Sequence, residues 1–143
     1  MDTPEPSTLL TTSHSEDFAS EYANHVQFEL SAWDLKLIFG QLEQSLAPNA
    51  VVQHTAITLP WPQVKIMTYL LQINLAVHEL LNGRISVPGG IIPNPERIIE
   101  GAAQFRDTDS EAIKKLMLER YEAFIKENPE AAGEGFAKKP KKK

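Results

Sequence analysis

Between His25 and Gly40 the side chains change character at every second position, and no other stretch limits the fold so tightly. Val26, Phe28 and Leu30 alternate with His25, Gln27 and Glu29. After a break at Ser31–Ala32–Trp33, Leu35, Leu37 and Phe39 alternate with Asp34, Lys36 and Gly40. A period of two is a strand with one apolar and one wet face. Two such runs joined by a few residues predict an antiparallel hairpin. Ile38 interrupts the polar side of the second run, so that side is expected to be partly covered.

Residues 41–50 read as a connector ending in Pro and Asn. Residues 51–59 (VVQHTAITL) are rich in β-branched residues and predict a third strand. There Thr55, Ile57 and Leu59 should face one way, and His54, Ala56 and Thr58 the other. Pro60–Trp61–Pro62 ends it, and proline is tolerated in a first helical turn because its missing N–H has no partner there anyway. A helix is then predicted from about Pro62 to Leu81, closed by Asn82–Gly83. On a wheel of 100° per residue its polar residues Lys65, Thr68, Gln72 and Glu79 share one arc of about 60°. The apolar remainder covers roughly two-thirds of the circumference, well beyond the stripe a surface helix needs. One sheet covers one side of such a helix. Its other flank, including Ile66, Leu70, Leu71, Ile73, Asn74, Val77 and His78, is expected to meet a second copy.

Residues 84–93 suggest a short strand and a Gly-Gly turn, and Asn94–Pro95–Glu96 a short second helix. A third helix, capped by Asp109 or Ser110, runs to about Asn128 with Ile113, Leu116, Met117, Tyr121, Phe124 and Ile125 as its apolar stripe. The expected class is α+β: an antiparallel sheet of three or four strands, one long helix packed across it, and a helical C-terminal extension. The expected organisation is a disordered lead over 1–19, an α+β core over 20–88, the helical extension over 89–128 and a disordered basic tail over 129–143. The 143-residue chain suits one domain with tails.

The net charge of −5 conceals a segregation. Lys138, Lys139, Lys141, Lys142 and Lys143 stand together at the end; without them 9 basic residues face 19 acidic ones, a balance of −10. A body that acidic repels phosphate backbones. Contact with nucleic acid is therefore expected only through the five-lysine tail, as the alternative to a non-enzymatic, self-associating interaction protein. The chain has no cysteine, which excludes disulfides, thiolate nucleophiles and cysteine-ligated metals. The absence of cysteine suits a reducing cytosol; no signal-peptide pattern opens the chain, and residues 64–81 are too polar to span a bilayer.

Tyr22, Ala23, Asn24 and Val26, then Trp33, Asp34, Leu37, Phe39 and Gly40, then Pro62, Lys65, Leu70, Leu75, Glu79, Gly83 and Ile85 form an ordered series. It resembles a family of small bacterial and archaeal proteins catalogued only as a domain of unknown function, over about residues 20–88. In that family Ser precedes the helix proline, where this chain has Trp61, and an aromatic residue precedes the helix-end glutamate, where it has His78. The resemblance implies a small soluble cytoplasmic protein and no particular activity.

No phosphate loop, dinucleotide fingerprint, nucleophile elbow or metal-ligand spacing occurs, so no catalytic residue, cofactor or metal is expected. His14 lies in the lead. His25 and His54 are expected on wet strand faces, and with Glu29 they are the one arrangement suggesting a metal or ligand. Solvated strand residues are the plainer reading. His78, inside the helix's apolar arc one turn from Asn74, reads as a satisfied core or interface histidine. Its sharper reading is a polar pair fixing register across an interface. Asp34 is expected to cap its own turn, and Trp33 and Trp61 to cover a small core or anchor a partner.

Overall fold

The computed structural model describes residues 10–43, 50–92, 95 and 110–132. Two compact units divide the chain, Met1–Ile73 and Asn74–Lys143. The first holds β1 (His25–Leu30), β2 (Asp34–Glu43) and β3 (Ala50–Pro60), in that order and antiparallel throughout. Helix α1 (Trp61–Asn82) begins in the first unit and ends in the second. The second continues to α2 (Ser110–Glu127) and a single 3-10 turn, Pro129–Ala131. The class is the expected α+β, with a helix following a three-stranded sheet.

Alternation sets the register. Leu30, Leu35 and Leu59 form one cross-strand row, Phe28, Leu37 and Ile57 the next, and Val26, Phe39 and Thr55 the third. The opposite face is polar: Lys36 Nζ lies 3.0 Å from Glu29 Oε2, and Gln53 Nε2 donates to Gln27 Oε1 at 2.9 Å. Ile38 on that side is half-buried, as expected. At the hairpin corner the Ser31 hydroxyl donates to Asp34 Oδ1 at 2.6 Å and accepts from the Asp34 N–H at 3.0 Å. Asp34 thus closes its own turn. Trp33, expected to cover core or contact a partner, is 83% exposed and covers none. Trp61 instead points its indole N–H at the Ser31 carbonyl, 3.0 Å away.

The register slips between Phe39 and Gly40, because Phe39 faces Thr55 while Gly40 faces Gln53. His54 is the extra residue of this β-bulge. Beyond the slip Asn24 prolongs the pairing: its N–H donates to the Gly40 carbonyl at 3.1 Å, and its Oδ1 accepts the Leu42 N–H at 2.8 Å.

α1 ends as expected at Gly83, whose φ of 88° is left-handed and whose N–H reaches the Glu79 carbonyl at 2.9 Å. No residue of α1 is buried; Trp61, Val64 and Met67 are half-buried and its other apolar residues are exposed. The strand expected over 84–93 is absent among the described residues of that stretch, where only the Gly89–Gly90 turn forms. Its backbone donors are bound otherwise. The Ile85 N–H goes to Glu79 Oε1 at 3.1 Å and the Val87 N–H to Glu130 Oε1 at 3.4 Å. Arg84 Nη2 joins them, donating to the Glu127 carbonyl at 2.8 Å and lying 2.9 Å from Glu130 Oε2. With these donors satisfied by side chains, no ladder is needed. The short helix expected from Asn94 falls outside the described residues but for Pro95, as do residues 44–49 and the lysine tail. In α2, Ile113, Met117, Tyr121 and Ile125 are the half-buried stripe, whereas Leu116 and Phe124 are exposed.

The Glu130 carboxyl is held below its ordinary value, chiefly by its own backbone N–H, then by the Val87 N–H and Arg84, against an opposing effect of burial. A depressed carboxyl contributes stability above its unfolded value, and that contribution is lost as pH falls through the folded one. The Val87 amide should therefore lose hydrogen-exchange protection as pH falls through and below the ordinary carboxylate range. In Glu130→Gln that pH-dependent loss should be absent; equal loss in both proteins would show that Glu130 does not hold this junction.

Candidate interaction surface

The uncovered sides of α1 hold the expected contact residues. Ile66 is 51% exposed, Leu70 48%, Leu71 60%, Ile73 42% and Val77 49%. Asn74 and His78 are exposed as well. At 100° per residue, Ile66, Leu70, Ile73 and Val77 share one side of the helix. Leu71 and Leu75 stand roughly opposite them, so the helix has two apolar sides rather than one. His78 Nδ1 accepts from Asn82 Nδ2 at 3.4 Å, a contact one turn towards the C-terminus. Lys65 and Glu79 are the only charges among the 22 residues. Scarcity of charge with an excess of aliphatic side chains is the composition of an interface centre.

The sheet supplies a second open apolar surface. Leu35 and Leu37, in the central strand, are buried by their neighbours. Ala131 is the only other buried hydrophobic side chain among the described residues. The residues flanking the two leucines remain open: Val26 is 38% exposed, Phe28 54%, Leu30 49% and Ile57 46%.

One end of this face carries a cleft of about 660 Å³ that the sequence did not foreshadow. Phe18, Ala19, Phe39, His54, Thr55 and Ile57 line it, with Asp17 and Glu21. The bulge is the reason His54 lies here and not on the wet side with His25 and Glu29. Its Nδ1 lies 2.8 Å from Thr55 Oγ1 and its Nε2 2.9 Å from the Tyr22 carbonyl. A carbonyl only accepts, so Nε2 carries the proton and Nδ1 accepts from the Thr55 hydroxyl. His54 thereby ties the segment before β1 to β3. The suggested convergence of His25, His54 and Glu29 does not form, and no cluster of three metal-ligating side chains occurs among the described residues. His25 Nδ1 is shielded from solvent without a hydrogen-bond partner among them. His14 stacks on Phe18, centroids 3.9 Å apart and planes within 10°. No helix of the described residues is long and apolar enough to cross a membrane.

Strands β1 to β3, α1 and the segment up to Val87 lie inside one sequence match. Residues 3–87, more than half of the chain, match the family described as "Protein of unknown function (DUF3467)". The chain belongs to the DUF3467 family. No curated protein and no solved structure matches it. The matched stretch holds both open apolar surfaces, so these are features of the DUF3467 part of the chain and not of α2. The structure also explains physically three residues of the ordered series. Tyr22 offers the carbonyl that His54 grips, Asn24 prolongs the ladder, and Gly40 occupies the bulge where Val52 comes close.

Proposed function

We propose that this DUF3467 protein is a small, soluble, non-enzymatic interaction protein of the cytoplasm that self-associates through α1 as a homodimer. The observation that carries this is that no residue of α1 is buried, with Ile66, Leu70, Leu71, Ile73 and Val77 all exposed. Monomeric proteins rarely leave a contiguous apolar patch larger than a few hundred Å² in water. Only Leu35, Leu37 and Ala131 are buried among the described hydrophobic residues, little apolar burial to set against the conformational entropy of ordering them. A closed two-fold pair is the commonest way to supply it, because one patch then serves both partners.

Light scattering behind size exclusion tests this on the full chain. The expected mass is twice the 16.0 kDa of one chain. The thermal midpoint should rise with protein concentration, because association stabilises the folded state by mass action. A single-chain mass at every concentration, with a constant midpoint, would refute the reading.

A further inference from the structure

We infer that α1 of a second copy lies across the apolar face of this copy's sheet, and reciprocally, so that two helix-on-sheet contacts close the dimer. The inference rests on the self-association proposed above and names the surface that receives the helix.

The connection between strand and helix comes first. β3 ends at Pro60 and α1 begins at Trp61, with no residue between them. Connections from strand to helix commonly use about 2–6 residues, and those residues reverse the chain so that the helix returns over its sheet. Here Pro60 and Pro62 restrict the backbone on both sides of the junction. The Trp61 indole fixes the start of the helix to the Ser31 carbonyl at the hairpin corner. Beyond this anchored start, where Trp61, Val64 and Met67 are half-buried, the apolar residues of the helix are exposed.

Shape and length come next. The rows Leu30–Leu35–Leu59 and Phe28–Leu37–Ile57 make a ribbed surface without a charge. A sheet face of this kind is complementary to the side of an apolar helix, the usual two-layer solution for α+β domains. The 22 residues of α1 span roughly 33 Å at 1.5 Å per residue. The 10 residues of β2 span roughly 33 Å at 3.3 Å per residue. The third row is already approached from the side by Phe18 and Ala19, at the cleft with Phe39, Thr55 and Ile57. That leaves the first two rows, much shorter than the incoming helix, as the place where its centre would rest, the rest of the helix running past the sheet's edge.

A second copy is the occupant because the same chain carries both halves of the match, each exposed among the described residues. A two-fold axis satisfies all four surfaces at once. The two-sidedness of α1 fits as well: one side meets the partner's sheet, and the other is free to meet the partner's helix.

The absence of cysteine makes the test clean. Phe28→Cys and Ile57→Cys place a thiol on the sheet face; Leu71→Cys and Ile73→Cys place one on each side of α1. Every one of these positions is 42% to 60% exposed in the single chain, and each variant is first matched to the parent by circular dichroism. Differently tagged sheet and helix variants are mixed, equilibrated and treated with a short bismaleimide. The expected product is a cross-linked pair carrying both tags, formed by Phe28→Cys or Ile57→Cys with at least one of the two helix variants. Each chain holds one thiol, so such a product is necessarily intermolecular. A dimer by light scattering that yields only helix-to-helix products would overturn the helix-on-sheet arrangement and leave self-association standing. A monomer by light scattering would overturn both. Should the parent's partners fail to exchange, co-expression of the two tagged variants gives the same readout.

Discussion

Leu71→Glu and Ile73→Glu, made separately, should each convert the proposed dimer into monomer or aggregate. In the single chain Leu71 is 60% exposed and Ile73 42%. Were those surfaces open in the working protein, a glutamate would be well tolerated, since surface substitutions shift stability by about 0.5 kcal/mol or less. Within an apolar interface the same carboxylate must be desolvated without a partner, which costs several kcal/mol or forces the site apart. At about 1.4 kcal/mol per tenfold change in affinity, a loss of some 3–4 kcal/mol weakens the pair roughly several hundredfold. The two positions are about 200° apart on the wheel, so they interrogate opposite sides of the helix. If each side is used, one towards the partner's sheet and one towards its helix, each single substitution suffices. Gln72→Glu, in the polar arc, is the control and should leave the mass unchanged. The readout is light scattering over a dilution series; an undiminished dimer in both variants would remove α1 from the interface.

How much of this was legible in the residues depended on whether the determining contact was local. Alternation is local, and it placed β1, β2 and the pairing of Val26, Phe28 and Leu30 with Phe39, Leu37 and Leu35. The cap at Gly83 and the Ser31–Asp34 turn were legible for the same reason. The strand expected at 84–93 does not form because its competitor is distant. Glu130, more than forty positions away, takes the Val87 N–H and Arg84, and nothing in RISVPGG announces that. The position of His54 departs from expectation for a subtler reason. One inserted residue reverses the face of everything before it, and the only trace is that Val52 is out of phase with Thr55, Ile57 and Leu59. A parity break opposite a glycine is a signal that could have suggested a bulge. The width of the apolar arc on α1 was legible too, but it told only that the helix needed covering on more than one side. The immediate passage from β3 into α1 is what the structure adds.

Gly40→Ala should destabilise the sheet more than any other single-methyl addition at the described glycines. A Cβ at position 40 would stand 2.7 Å from the Val52 carbonyl oxygen, 2.8 Å from Val51 Cγ1 and 3.2 Å from Gln53 Cα. Two of those three atoms are backbone of the neighbouring strand, so relief requires β3 to move and not merely a rotamer to change. Overpacking of this kind costs about 1–3 kcal/mol, and here the bulge that carries His54 into the cleft is displaced with it. Against a total stability of about 5–15 kcal/mol for a typical domain, that is a severe loss for a sheet whose buried residues are Leu35, Leu37 and Gly40. Gly83 separates the two reasons a chain keeps glycine. Its φ of +88° is strained for any L side chain, yet nothing lies within 4 Å of where an added methyl would stand, so Gly83→Ala should cost only about 1 kcal/mol. Urea unfolding at one fixed protein concentration measures both, because the midpoint reports stability and an unchanged slope certifies the same transition. Gly40→Ala should lower the midpoint by clearly more than Gly83→Ala and should also weaken the bond from His54 to the Tyr22 carbonyl, visible as a shifted imidazole resonance. Equal midpoints for the two variants would mean that β3 yields at little cost, and that the close approach at Gly40 does not hold the bulge in place.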